Sequence, residues 1–284
     1  MPSDTLTQVA QVGLLTFVVA GMAAMGLGLT LAQITTPLRD VRLVASLVVV
    51  NFVVVPAAAV AAGRWLPMDE ASATAVILIG CVAGAPFLPK LAQLAGGDPA
   101  LAVGSMVLLM VLTVVYAPLV VPLVVEGATV SAGDIASSLV LYMLLPLALG
   151  LLVRARYPQL ATSWVGPTGQ VSTVGLVLGI VAALLVTWQD ILGSLGSWVF
   201  VGTAIVLVVG LGAGYLAGAG RTASDRQVLA LATAQRNISA ALVVAASLGG
   251  DVIVRTLVAA LVIPVVLLPL AGEIGRRTSV SQTR

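Results

Sequence analysis

The stretch from Pro99 to Val125 reads PALAVGSMVLLMVLTVVYAPLVVPLVV and contains no charged side chain. A helix of about 20 apolar residues crosses a hydrocarbon core of about 30 Å, so this stretch is long enough to span a bilayer. A second apolar run extends from Val41 to Ala62. Both runs are apolar on all sides, whereas the strands of a membrane barrel alternate apolar and polar residues. The two runs therefore predict membrane-spanning helices.

The composition excludes an ordinary soluble domain. Of the 284 residues, 60% are hydrophobic and 8% are charged, against about 25% charged residues in soluble domains. The net charge of +2 is small, so no nucleic-acid partner is expected. The chain has no histidine and one cysteine, Cys81, which removes His-containing metal sites, Ser-His-Asp triads and intrachain disulfides. We expect no enzyme activity, no metal site and no cofactor, and a packing role for Cys81.

Charged or Gly/Pro-rich gaps divide the chain into nine predicted helices. These helices cover residues 10–33, 41–62, 71–95, 99–125, 134–153, 168–187, 195–217, 226–248 and 252–272. No polar gap is long enough for a separate soluble domain, so residues 1–284 are predicted to form one transmembrane domain. The predicted fold class is an all-α polytopic membrane helix bundle, with membrane lipid as a partner. The sequence carries no signal for an oligomeric state.

The arginine positions predict the orientation, because short cytoplasmic loops accumulate Lys and Arg. The N-terminus carries Asp4 and no basic residue, which does not fit a cleaved signal peptide. We therefore expect a multi-pass cell-membrane protein with a retained first helix, an external N-terminus and a cytoplasmic C-terminus. The predicted cytoplasmic side holds Arg39, Arg42, Arg154, Arg156, Arg221, Arg226, Arg276, Arg277 and Arg284, and the opposite side holds Arg64 and Arg255.

Two segments of the chain resemble one another. LAQLAGGD ends at Asp98 and LVVAASLGGD ends at Asp251, and each precedes a long apolar run with two prolines. The two segments end predicted helices 3 and 8, which cross the membrane in opposite directions. This pattern is typical of inverted-topology repeats, whose paired helices are often broken near the midplane where substrate binds. The alternative is that both segments are ordinary turns, since Gly-Gly-Asp commonly ends a helix.

A break in predicted helix 3 is expected within GAPFLPK, residues 84–90. Pro86 and Pro89 each lack an N–H donor and clash with the preceding turn. Predicted helix 8 contains the polar cluster TAQRNIS, residues 233–239, but no Gly or Pro there. A break in helix 8 is therefore expected from its pairing with helix 3 alone.

Arg236 is the strongest functional candidate. A charged side chain at the centre of a membrane helix costs at least about 2.5 kcal/mol, so it should face protein or a water-filled cavity. The alternative is that Arg236 only ties helices together through backbone carbonyls. The alternative for the amides of Asn237, Gln235 and Asn51 is that they form ordinary interhelical hydrogen bonds. The alternative for Lys90 is that its side chain snorkels to the membrane interface. The full set of candidate site residues is Arg236, Asn237, Gln235, Thr233, Asn51, Lys90, Phe87, Pro86 and Pro89.

Three motifs resemble the bile acid:sodium symporter family, in particular its nine-span members. Met25–Leu31 (MGLGLTL) is similar to Met-Gly-Leu-Thr-Leu in the first helix of that family. Asn51–Pro56 (NFVVVP) resembles its Gln-Phe-x-x-Met-Pro, and Leu145–Arg154 (LPLALGLLVR) resembles its Leu-Pro-x-x-x-Gly-Leu-Leu-x-Arg. The resemblance covers most of the chain. It implies crossing broken helices 3 and 8.

The resemblance further implies two groups of helices, a core (residues 41–125 and 195–272) and a panel (residues 10–33, 134–153 and 168–187). Substrate would pass between core and panel. The substrates expected from the resemblance are small organic anions or amphipathic acids. Two sodium ions bound behind the helix crossing would drive their transport.

The sequence departs from that family at the sodium ligands. Ala232 stands at the sodium-binding Glu and Arg236 at the sodium-binding Gln, while Asn237 keeps the Asn. Apolar residues replace the other ligands, and a guanidinium offers no oxygen donor and repels sodium. Sodium is therefore doubtful as a partner. Our hypothesis is that fixed cations, Arg236 and Lys90, take the electrostatic role of the two ions. The apolar replacements are Ala85–Leu88, Ala102 and Met106.

The predicted function is secondary transport of a small organic anion by alternating access, without the usual sodium coupling. One alternative is an efflux carrier resembling the related arsenite permeases. Another is a membrane protein that binds or senses a ligand without transporting it. A membrane-embedded enzyme is disfavoured, because the spans lack histidine and a deep pair of acidic residues.

Overall fold

This computed structural model describes residues 2–128 and 131–282 of the chain. All the regular secondary structure in these residues is helical. The helices join through short turns. Their bounds are α1 (Pro2–Gly28), α2 (Leu31–Thr35), α3 (Val41–Val49), α4 (Val55–Trp65), α5 (Glu70–Cys81), α6 (Leu88–Leu94), α7 (Pro99–Val124), α8 (Ala132–Leu139), α9 (Leu145–Arg156), α10 (Pro158–Val186), α11 (Trp188–Gly193), α12 (Val199–Ala217), α13 (Ala223–Ala234), α14 (Ile238–Ala245) and α15 (Gly250–Gln282). A 3-10 turn (Pro37–Arg39) precedes α3, and π-turns join α3 to α4 (Val50–Val54) and α8 to α9 (Val140–Leu144).

Among the residues that the structure describes, seven stretches of helix are long and apolar enough to cross a membrane. The prediction of a polytopic all-α membrane protein is confirmed. The count of nine spans stays a prediction, because predicted helix 3 is divided into α5 and α6 and predicted helix 5 contains a π-turn. The seven stretches are Thr5–Gly28, Val41–Trp65, Pro99–Val124, Pro158–Val186, Val199–Ala217, Ala223–Ala245 and Gly250–Arg277.

Several predicted helix bounds were wrong, because apolar length marks the lipid-facing part of a helix and not its ends. α1 begins at Pro2 and ends at Gly28, where the prediction was 10–33. α10 begins at Pro158, ten positions before the predicted start, since proline is well tolerated in the first turn. α15 continues ten positions past the predicted end at residue 272.

The chain forms two compact units. The first comprises Met1–Ile34 and Ala136–Gly193. Within it α1 packs along α10, and the Ser172 hydroxyl donates a hydrogen bond of 2.9 Å to the Phe17 carbonyl. These segments hold the three helices predicted for the panel, whose role in transport stays a prediction.

The second unit comprises Thr35–Ile135 and Ser194–Arg284 and contains an internal repeat. Its helices α5 and α13 are each 12 residues long. Each begins at a side-chain N-cap, Asp69 or Thr222, and each ends at an extended residue, Val82 or Gln235. A short helix, a Gly-Gly-Asp sequence and a long helix with two prolines then follow in both halves.

The two halves of this repeat run in opposite directions. The start of α15 lies beside the start of α5, where Arg255 and Asp69 are 3.9 Å apart. The end of α15 packs on the end of α6 through Gly275 and Leu94. At that same end Gly97, just before α7, packs on Val228 of α13. Helices α5 and α13 therefore start at opposite ends of the unit and end at its middle.

Helix caps and ion pairs connect the helices at both ends of the second unit. Asp40 caps α3 and pairs with Arg221, and the Leu43 backbone N–H and this guanidinium hold the pKa of Asp40 below its usual value. At the other end two effects on the pKa of Asp69 oppose each other. Burial alone would raise this pKa, but the hydrogen bonds from Ser72 and the charge of Arg255 outweigh burial, so the pKa of Asp69 lies below its usual value.

Gly84 sets the path of the chain between α5 and α6. Its φ of +78° lies in the left-handed region that favours glycine. A Cβ atom on Gly84 would lie 2.2 Å from the backbone nitrogen of Met110 in α7. The interruption of predicted helix 3 is therefore confirmed, and it begins at Val82, four positions before Pro86.

Replacing Gly84 by alanine is expected to lower the melting temperature of the detergent-solubilised protein. Gly96 is the matched control, because its φ is +68° but a Cβ there would meet no atom within 4 Å. Gly96→Ala should cost about 1–3 kcal/mol through backbone strain. Gly84→Ala should cost about 1–3 kcal/mol more through the clash with Met110. Equal melting temperatures for the two variants would contradict the close packing of Gly84 on α7.

Candidate functional site

Residues Gln235 to Asn237 interrupt predicted helix 8. Helix α13 ends at Ala234, and Gln235 is extended with φ −75° and ψ 120°. Asn237 starts α14, because its side-chain oxygen accepts a hydrogen bond of 3.1 Å from the Ala240 N–H. The break expected from the pairing with helix 3 is thus present, although it contains neither Gly nor Pro.

Asn237 joins the two interrupted helices. Its side-chain amide donates a hydrogen bond of 3.1 Å to the Gly84 carbonyl. Its backbone N–H donates a longer one, 3.4 Å, to the Val82 carbonyl. Both acceptors lie between α5 and α6. The two breaks are therefore in direct contact, through one side-chain and one main-chain hydrogen bond of Asn237.

Arg236 lies at this crossing and is completely buried, with 0% of its surface exposed. A guanidinium has five N–H donors, and Arg236 makes five hydrogen bonds to oxygen atoms. All the acceptors are neutral. They are the carbonyls of Ile79 (3.2 Å), Gly80 (2.6 Å), Thr233 (3.1 Å) and Asn51 (3.5 Å) and the side-chain oxygen of Asn51 (3.0 Å).

Three of these carbonyls belong to helix ends. Ile79 and Gly80 lie in the last turn of α5, and Thr233 lies in the last turn of α13. The last four carbonyls of a helix have no partner within the helix, and they carry the negative end of the helix dipole. Arg236 therefore satisfies the carbonyls of two helix ends with one positive charge.

The fourth carbonyl, that of Asn51, has no partner within its own helix because of a proline. In the π-turn the Val55 N–H bonds to the Val50 carbonyl. The Asn51 carbonyl would then pair with residue 56, which is Pro56 and has no N–H. The sequence analysis identified Asn51 and Pro56 but missed the π-turn that gives them this geometry.

The side chain of Asn51 completes the network. Its amide donates to the Leu47 carbonyl at 3.0 Å and to the Thr233 hydroxyl at 3.2 Å. The Thr233 hydroxyl in turn donates to the Leu229 carbonyl at 3.0 Å. The structure thus brings together four of the predicted site residues, namely Arg236, Asn237, Asn51 and Thr233.

The other predicted candidates lie elsewhere around the crossing. Pro86 and Phe87 form the turn before α6, and Pro89 lies in the first turn of α6, where it starts the helix rather than breaking it. Lys90 is half-buried in α6. None of the hydrogen bonds of Arg236 reaches these four residues.

Gln235 is 2% exposed, and its side-chain oxygen has no hydrogen-bond partner among the residues that the structure describes. Ala232, Ala102 and Met106 are buried and apolar. Within residues 2–128 and 131–282 no cluster of three or more His, Cys, Asp or Glu side chains could hold a metal ion. No ion pair of Arg236 occurs in that same part of the chain.

Thr113 of α7 is a site residue that the sequence analysis missed. Its hydroxyl lies 3.0 Å from both the N–H and the carbonyl of Ala83, so it serves both groups of one residue in the break. The signal was available, since Thr113 is a polar residue within a long apolar run. The sequence could not show which main chain it would meet.

The sequence pattern of the Sodium Bile acid symporter family matches residues 14–194. A protein of Bacillus subtilis (strain 168) named "Uncharacterized sodium-dependent transporter YocS" is 28% identical over 201 residues, which are 70% of this chain and 61% of that protein. The chain therefore spans less than two thirds of the length of this relative.

Thr113→Val is expected to lower the free energy of unfolding by about 1–3 kcal/mol, because it leaves the buried Ala83 N–H without a partner. Thr113→Ser keeps the hydroxyl and is the control. Thermal unfolding of purified protein in detergent measures both variants. A serine variant as unstable as the valine variant would mean that the methyl group, not the hydroxyl, supports the break.

Proposed function

Since the chain belongs to the sodium bile acid symporter family, we propose that it is a secondary transporter of a small organic anion that works by alternating access without sodium coupling. The observation that carries this proposal is the buried guanidinium of Arg236 with all five donors bound. The family resemblance implies sodium ions behind a crossing of broken helices. In this chain a covalently attached cation occupies the crossing.

The acceptors around Arg236 are those that a metal ion would use in a transporter. Unwound carbonyls and the C-terminal ends of half-helices coordinate cations in such proteins. Ile79, Gly80 and Thr233 supply carbonyls of this kind to Arg236. A guanidinium stays charged at any physiological pH and cannot leave. It neutralises the helix ends without using an ion gradient.

Sodium would bind poorly beside this group. Two unit charges 4 Å apart repel by about 4 kcal/mol at the effective dielectric constant of a protein. Sodium also prefers oxygen donors, and the nearby Ala232, Ala102 and Met106 supply none from their side chains. The name of the relative YocS describes that protein as sodium-dependent. The proposal is that this chain differs from it at the ion site.

The charge distribution favours an anionic substrate. The N-terminus of α14 begins directly after the break at Gln235–Asn237 and carries the positive end of the helix dipole. Half-helix N-termini hold anionic substrate groups in transporters. The guanidinium of Arg236 adds a positive charge nearby, although its donors are already used within the protein. We expect it to act on the substrate through its field and not by direct contact.

Replacing choline by sodium is expected to leave the melting temperature of the wild-type protein unchanged. The double variant Ala232→Glu/Arg236→Gln restores the residue types of the family and should gain sodium-dependent stabilisation. At a sodium concentration of 100 times its dissociation constant that gain is about 2.7 kcal/mol. Potassium serves as the control for ionic strength. A strong sodium response of the wild-type protein would reject sodium-independent function.

Transport itself is tested with a ligand found by thermal-shift screening of carboxylic acids, sulfonates and oxyanions. Uptake of that ligand into proteoliposomes should proceed equally with sodium or choline outside. Binding without uptake would instead support a non-transporting binding protein. Uptake that requires sodium would leave the transporter assignment intact and remove the proposed role of Arg236.

Arg236→Gln is expected to destabilise the protein by about 3–5 kcal/mol, the usual cost of removing one partner from a buried charged network. Arg236→Lys keeps the charge but has three donors instead of five, so it should be intermediate. Arg42→Gln is the control, because Arg42 is exposed. Thermal unfolding ranks the three variants. Wild-type stability of Arg236→Gln would show that the crossing needs no cation.

A further inference from the structure

A groove of about 440 Å³ runs between α4 and α7 in the second unit. Its walls are apolar, with Ala57, Val60 and Val120 among the lining residues. None of the residues that line the groove accepts a hydrogen bond from Arg236. The groove therefore adjoins the Arg236 network without sharing its hydrogen bonds, and the inference below does not depend on the proposed transport.

The groove is closed at its deep end by aromatic rings. The rings of Phe52 and Tyr116 lie 4.8 Å apart, and Cys81 lies beside them. The other end is marked by Arg64 and Trp65. With a rise of 1.5 Å per residue, the distance along the helix from residue 52 to residue 64 is about 18 Å. The groove therefore extends over slightly more than half of a hydrocarbon core of about 30 Å, which is close to the depth of one leaflet.

The open end has the chemistry of a membrane–water boundary. Trp65 is 85% exposed, and tryptophan is enriched at the headgroup level of membranes. Arg64 is also exposed, and it has no hydrogen bond or ion pair to any residue of the described ranges. An unpaired cation thus lies at the mouth of an apolar groove.

We propose that this groove binds one acyl chain of an anionic phospholipid, whose phosphate pairs with Arg64. A small hydrophilic anion fits less well, because the deep end offers two rings and a thiol, and the guanidinium of Arg236 is fully buried. An acyl chain matches both the apolar walls and the one-leaflet depth. The phosphate matches the position and sign of the charge.

A bound chain would also pack behind the π-turn of Asn51. Phe52 lines the groove, while the neighbouring Asn51 binds Arg236. The lipid would therefore fill the space on the outer side of the turn that holds the crossing in place. Occupancy of the groove stabilises the second unit and is expected to raise the melting temperature of the protein.

The test uses the full-length protein purified in detergent and titrated with phosphatidylglycerol. Native mass spectrometry counts the bound lipid, and thermal unfolding follows its effect. Arg64→Gln should weaken binding about fivefold, the effect of one basic residue near an anionic lipid surface. Ala57→Phe adds a ring to an exposed position in the groove wall and should abolish the bound lipid. Arg42→Gln, a charge change at the other end of the same helical stretch, should leave binding unchanged.

Three outcomes would overturn the proposal. One is equal lipid retention by wild-type protein, Arg64→Gln and Ala57→Phe. Another is an equal loss of binding in Arg42→Gln, which would indicate a general charge effect. The third is displacement of the lipid by a short-chain carboxylate, which would indicate a small-anion site. Because Arg64→Gln alters only an exposed side chain, the test remains decisive if Ala57→Phe does not fold.

Discussion

The helix crossing depends on the five hydrogen bonds of one buried guanidinium. Two helix ends, those of α5 and α13, meet inside a membrane protein, and their unpaired carbonyls would otherwise face each other. Buried carbonyls without donors cost about 1–3 kcal/mol each, and the negative ends of the two helix dipoles repel one another. Arg236 removes both costs with a single side chain. The same side chain also fixes the helical stretch Val41–Trp65 through Asn51.

Much of this arrangement followed from residue types and spacing. Apolar length predicted the membrane bundle, and the cost of a charge in lipid predicted that Arg236 would face protein. The alternative weighed for Arg236, that it ties helices together through carbonyls, describes its observed contacts. The break in helix 8 was expected from the repeat alone and is present.

The details that sequence reasoning missed depend on contacts between distant segments. The break at Gln235–Asn237 contains no Gly or Pro that would interrupt a helix. It is held instead by hydrogen bonds to residues 79–84. Thr113 could be identified as polar but not assigned to Ala83. Helix ends were misplaced because caps and prolines at first turns act outside the apolar stretch, as at Pro158. Local sequence patterns predict that a helix is present, whereas contacts with distant residues decide where that helix ends.

The two breaks are chemically complementary rather than alike. The first, with Gly84 in a left-handed conformation, presents main-chain carbonyls. The second, with Arg236 and Asn237, presents side-chain donors. Each break satisfies only some of its polar groups within its own half, and an apolar surrounding offers no partner for the rest. Each half of the repeat is therefore stable only against the other, so the broken helices are expected to form together. Substitutions on either side of the crossing should then destabilise both halves.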